Sequence, residues 1–91
     1  MSKVSKPFRL VHRYIQDCEW YIETNDFGRA GHSLYYAIKS LPRTYIGKIG
    51  KTRQLFAERI VDLFFRIIPE IYNKETLNKL DEALQNVKTN Q

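Results

Sequence analysis

From Arg53 to Tyr72 the chain carries apolar residues on two helical stripes at once. Phe56, Ile60, Phe64, Ile67 and Ile71 recur at intervals of three and four, and so do Val61, Phe65, Ile68 and Tyr72. Only Glu58, Arg59, Asp62, Arg66 and Glu70 are left as a polar strip. A helix that is apolar over most of its circumference has to be covered on more than one side. Other helices of the same chain can wrap it, or a second copy can complete the cover. Pro69 has no amide hydrogen and crowds the preceding turn, so it should break or kink this helix near Ile68. The segment therefore predicts an all-α fold, a small three- to four-helix bundle that is dimeric through its apolar third helix.

The rest of the sequence supplies partners of the right kind. Phe8, Val11, Ile15, Cys18 and Ile22 form a one-sided stripe, and Pro7 suits a first helical turn, so the first helix is expected over about 7–24. Asn25, Asp26 and Gly28 carry turn chemistry. A second helix over 28–41 turns Ala30, Leu34, Ala37 and Leu41 inward, and Pro42 marks its end. The third helix is expected over 53–72, with Thr52 as its N-cap, and the fourth over 75–87, with Leu77, Leu80, Leu84 and Val87 inward. That leaves a basic, glycine-containing loop over 43–52 and a frayed tail at 88–91. At 91 residues, 43% hydrophobic and 27% charged, the chain reads as one packed domain. Domains this small often gain stability from a second copy.

Residues 11–44 resemble one tetratricopeptide-type hairpin. Tyr21, Asn25-Asp26-Phe27, Ala30, Leu34, Ala37 and Pro42 stand where that pattern places its late aromatic, its turn, its apolar residues and its proline. Asp17 and Tyr14 depart from the pattern, where it prefers leucine and tryptophan, and no second copy follows. The resemblance implies two antiparallel helices over about a third of the chain and no particular function.

Gly50-Lys51-Thr52 looks like the end of a nucleotide-binding loop, but the first glycine of that loop would fall at Tyr45. No strand precedes it to carry the loop and none follows to carry a magnesium ligand. His12, His32 and the lone Cys18 are too few for a multi-cysteine metal site or a disulfide framework. Cys18 also lies on the apolar stripe, where core packing is the simpler reading. No enzyme, no cofactor and no metal are expected. The N-terminus has no apolar core of a leader and no run is long enough to span a membrane, so a soluble cytoplasmic protein is expected.

The net charge of +5 is distributed in blocks. Lys3, Lys6, Arg9 and Arg13 are followed by Asp17, Glu19, Glu23 and Asp26, and residues 27–57 then hold Arg29, Lys39, Arg43, Lys48, Lys51 and Arg53 with no acid among them. Lys6, Arg9, Arg13, Gln16 and Trp20 share one face of the first helix; Arg29, His32, Tyr36, Lys39 and Arg43 share one face of the second. Cations meet phosphates, and aromatic rings stack on unpaired bases. The expected binding residues are Lys6, Arg9, Arg13, Arg29, Tyr36, Lys39, Arg43, Tyr45, Lys48, Lys51 and Arg53, and the expected ligand is nucleic acid, RNA ahead of duplex DNA. The expected role is regulatory or inhibitory. The rival expectation is a protein-interaction module, such as an inhibitor, an antitoxin-like or immunity factor or an assembly subunit, that binds an acidic protein or a nucleoprotein. Membrane attachment is not expected, because the basic faces leave no broad apolar side for lipid.

Overall fold

The computed structural model of the chain describes residues 4–43 and 46–88, and every regular element among them is helical. Helices α1 (Arg9–Glu23), α2 (Phe27–Ser40), α3 (Gly47–Ile67) and α4 (Lys74–Lys88) follow in order, with 3₁₀ turns at Lys6–Phe8 and Ile68–Glu70.

The first reversal is built from side-chain chemistry. The Thr24 hydroxyl donates to the carbonyls of Trp20 and Tyr21, both at 3.2 Å. Asn25 adopts φ 60°, a left-handed conformation that asparagine tolerates better than most residues. Asp26 then caps α2, its Oδ1 accepting from the Arg29 amide at 3.2 Å. The chain thus folds back within three residues, and α2 runs antiparallel to α1. Tyr14 stacks on Tyr36 at 5.6 Å across the hairpin.

The third helix departs from expectation at both ends. It begins at Gly47, so residues 47–52 are helix where a loop was expected, and Thr52 lies inside the helix with its hydroxyl donating to the Lys48 carbonyl at 3.0 Å. Gly47 has φ 68°, a conformation that suits glycine at a helix entry. Once the turn around Phe56 is packed, extending a helix backward adds a hydrogen bond per residue, and each glycine subtracts only about 1 kcal/mol. At the other end Pro69 stops α3 at Ile67, and Ile71 is already extended, so the helix is shorter than the stripe to Tyr72 suggested. Asn73 opens α4, its Oδ1 accepting from the Thr76 amide at 3.1 Å.

Ring contacts set the helix directions. Phe8 stacks on Phe56 at 5.2 Å, nearly parallel, and Glu19 meets Arg59 at 3.3 Å, so the first half of α3 lies against α1, with the Phe56 turn beside the start of α1. A Cβ added to Gly31 would sit 3.1 Å from Ile71 Cδ1 and 3.3 Å from Thr76 Cγ2, while Ile38 and Leu41 share a cleft with Ala83 and Val87. Helix α4 therefore runs alongside α2 in the same sense, close-packed over a glycine. The core holds Phe8, Val11, Ile15, Cys18, Leu34, Ile60, Ile67 and Leu80 with almost no exposure. The second stripe of α3 is covered only in part: Val61 and Ile68 are half-buried against the core, while Phe65 is 59% and Tyr72 is 86% exposed.

Candidate nucleic-acid interface

The charge blocks of the sequence become ends of the molecule. Because α1 and α2 are antiparallel, the acidic block spans their connection and the two basic blocks meet at the opposite end. The start of α1, the end of α2 and the start of α3 share that end. Lys6 and Arg9 arrive on the first of these, Lys39 and Arg43 on the second, and Lys48, Lys51 and Arg53 on the third. Arg13 and Tyr36 lie at mid-length on the hairpin. Tyr45 lies outside the described residues.

Arg29 belongs elsewhere. It starts α2 at the acidic end, and its guanidinium meets Asp26 at 3.5 Å. The helical period that put it on a line with Lys39 and Arg43 is correct, but the line runs the length of α2, so one end of it leaves the basic pole. Glu19 is likewise met by Arg59. Both pairs are exposed, and such pairs contribute little to stability.

Arg53 is placed differently from a surface cation. Only 6% of it is exposed, and its Nε donates to the Pro42 carbonyl at 2.7 Å. It sits on the same stripe as Phe56 and Ile60, three residues before Phe56. Lys48 and Lys51 share the other side of α3 and are exposed. At 100° per residue, Lys51 is about 200° from Arg53, so the three cations divide between two faces of the helix. The expected basic loop holding Lys48 and Lys51, with Arg53 beside it at the helix start, is thus replaced by an exposed lysine face and a buried arginine.

Neither α1 nor α3 has an acid in its first turn or a side-chain cap, and Lys48 and Lys51 stand at the positive end of the α3 dipole. Cations at a helix N-terminus are locally unfavourable, and an anion there relieves them. The aromatic part of the interface is partly spoken for. Tyr36 is half-exposed, but Tyr14 stacks on one of its faces and Tyr35 meets it edge-on, which leaves at most one face for a base. Lys39 lies 5.9 Å above the Tyr35 ring. Trp20 is 61% exposed, at the acidic end of α1, away from the cations.

The end of α2, the second turn of α3 and the end of α4 border a cleft of about 350 Å³, lined by Lys39, Arg43, Arg53 and Asn86 together with the aliphatic side chains of Leu41 and Val87. Spacing alone does not reveal this cleft, because Asn86 comes from the far end of the chain. The signal available in sequence was the position of Arg53 on the core stripe.

Other chemistry is weakly supplied. Burial pushes the Cys18 thiol up to about 12, with the Glu19 carboxylate adding to the rise and Arg66 opposing it. A thiol so held is a poor nucleophile. No group of metal-ligating residues is found among the described residues, and no helix among them is long and apolar enough to cross a membrane. Comparison of the chain with protein-family models, with curated proteins and with solved structures finds no match.

Proposed function

We propose that the protein binds nucleic acid, RNA in preference to duplex DNA, with the basic end of the bundle, and that it acts as a regulator or inhibitor without catalysing a reaction. The observation that carries this reading is the convergence of Lys6, Arg9, Lys39, Arg43, Lys48, Lys51 and Arg53, from three helices and from separate blocks of sequence, at one end of the molecule. Phosphate contacts supply most of the affinity. Single-stranded or irregular RNA is favoured over a duplex groove because Lys39, Arg43 and Arg53 line a concave joint between helices, a shape that suits an irregular strand better than the regular backbone of a duplex. A cytoplasmic setting fits a ligand of this class and a buried, unpaired Cys18.

The test is titration of a labelled single-stranded RNA, with duplex DNA of equal length in parallel, at low salt. Micromolar or tighter binding of the RNA, weaker for the duplex, is expected. No binding of either overturns the reading and favours an acidic protein as the ligand.

The exposed apolar residues on one side of α3 support a second element of the proposal. Leu55, Phe65 and Tyr72 are exposed beside the half-buried Val61 and Ile68. The flanking Glu58, Asp62 and Arg66 carry both signs, so the face can pair with itself about a two-fold axis. A second copy of the chain there would bring two basic ends into one particle. Light scattering at tens of micromolar should give twice the chain mass of 10.8 kDa, and Phe65→Glu should return it to the monomer. A wild-type monomer removes this element and leaves the nucleic-acid reading standing.

A further inference from the structure

We infer that the cleft between α2, α3 and α4 is a seat for a terminal phosphate, the phosphomonoester at the end of an RNA strand, an inference that rests on the nucleic-acid reading above. Its shape separates it from the remaining basic surface. Lys48 and Lys51 lie on a convex helix face, which can follow a strand but cannot enclose a group. Lys39, Arg43 and Arg53 instead line a concavity of about 350 Å³, the scale of one nucleotide and too small for a duplex.

The charge of the cleft points the same way. Three cations and no carboxylate line it among the described residues. An internal phosphodiester carries one negative charge and has to enter and leave through the same opening. A phosphomonoester carries about one and a half to two charges at neutral pH, with three terminal oxygens to accept hydrogen bonds, and it ends the strand. Arg53 is also held in place before any ligand arrives. Its Nε donates to the Pro42 carbonyl at 2.7 Å, at the junction where α2 ends, which fixes the plane of the guanidinium. A guanidinium fixed in this way loses little freedom when an anion enters the cleft. Asn86 adds a neutral polar group from α4, and Leu41 and Val87 offer apolar walls to the terminal sugar.

The probe is one single-stranded RNA 12-mer, labelled internally, in three forms: 5′-phosphate, 3′-phosphate and hydroxyl at both ends. Anisotropy titrations at low salt, in buffer free of phosphate and sulfate, read the difference. One of the phosphorylated forms should bind about tenfold tighter than the hydroxyl form, the effect of a charge-assisted contact set. That preference should weaken below about pH 6 as the monoester takes a proton. Lys39→Gln and Arg43→Gln change exposed side chains and leave the core intact, and either should bring the phosphorylated strand down to near the hydroxyl strand. Equal affinity for all three forms, with the RNA still bound, overturns the terminal-phosphate seat and leaves the nucleic-acid function in place. An end preference that survives both variants places the seat elsewhere and also overturns it. No binding of any form overturns both.

Discussion

The charge-separated bundle makes a quantitative prediction about salt. Lys6, Arg9, Lys39, Arg43, Lys48 and Lys51 are six exposed cations at one end. Each phosphate neutralised on a single strand contributes about 0.7 to the slope of log affinity against log salt. Six such contacts give a slope near −4, or a loss of roughly 300-fold between 50 and 200 mM sodium chloride. Lys48→Gln with Lys51→Gln removes two of them, so the slope should flatten by about 1.4 and the loss over the same range should fall to roughly 50-fold. Glutamine has nearly the helix propensity of lysine, and both sites are exposed, so the fold should be unchanged. Arg29→Gln removes the same kind of charge at the other end, where it faces Asp26, and should leave the slope as it was. Anisotropy of a labelled single-stranded RNA at four salt concentrations measures all three proteins. A wild-type slope of −1 or flatter would refute the multi-cation interface. A slope change from Arg29→Gln as large as that of the lysine pair would refute the assignment to one end, because net charge alone would then explain the binding.

Three further outcomes follow from packing and burial. Phe8→Ala empties a fully buried site stacked on Phe56 and should destabilise the fold by about 3–5 kcal/mol in a denaturant titration. At Gly31, alanine gains about 1 kcal/mol of helix propensity against a tight contact with Ile71 and should be near neutral, whereas leucine should cost about 1–3 kcal/mol by forcing α4 away, read as a lower unfolding midpoint. With its ionisation held up at about 12, Cys18 has roughly one thiol in a thousand ionised at pH 9, so iodoacetamide should label the native protein far more slowly than the urea-unfolded chain. The same shift has a sign for stability: between about pH 9 and 12 the unfolded chain loses the thiol proton first, so stability falls as pH rises through that window.

The helices were legible wherever a single periodicity met clear punctuation. Asn25 and Asp26 announce the first reversal, Pro42 the end of α2 and Pro69 the end of α3, because each acts on the backbone within a residue or two of itself. The start of α3 was not legible. Gly47, Gly50 and the run of basic residues have the local preferences of a loop, and they are overridden by a helix already anchored at Phe56. Reading 47–52 as a loop also hid the helix face that Lys48 and Lys51 share, since a loop has no face to assign. The surface cations of α1 and α2 stand on the exposed faces that their spacing implied. Their grouping was less accessible, because it depends on which ends of the helices adjoin. Spacing along one helix joined Arg29 to Lys39, whereas the hairpin separates them and joins Lys39 to Arg9 instead. The cleft was invisible in sequence for the same reason, its walls coming from α2, α3 and α4.

The three-residue reversal between α1 and α2 also has a kinetic consequence. By folding the acidic block onto one pole and the basic blocks, Arg29 apart, toward the other, it gives the molecule a permanent electric dipole as well as a net charge. An approaching polyanion exerts a torque on such a body before any contact forms, so the protein turns its basic pole forward during diffusion and fewer collisions are wasted. Association should therefore be faster than the net charge of +5 would suggest at low ionic strength, and it should slow sharply once the Debye length falls below the span of the helices.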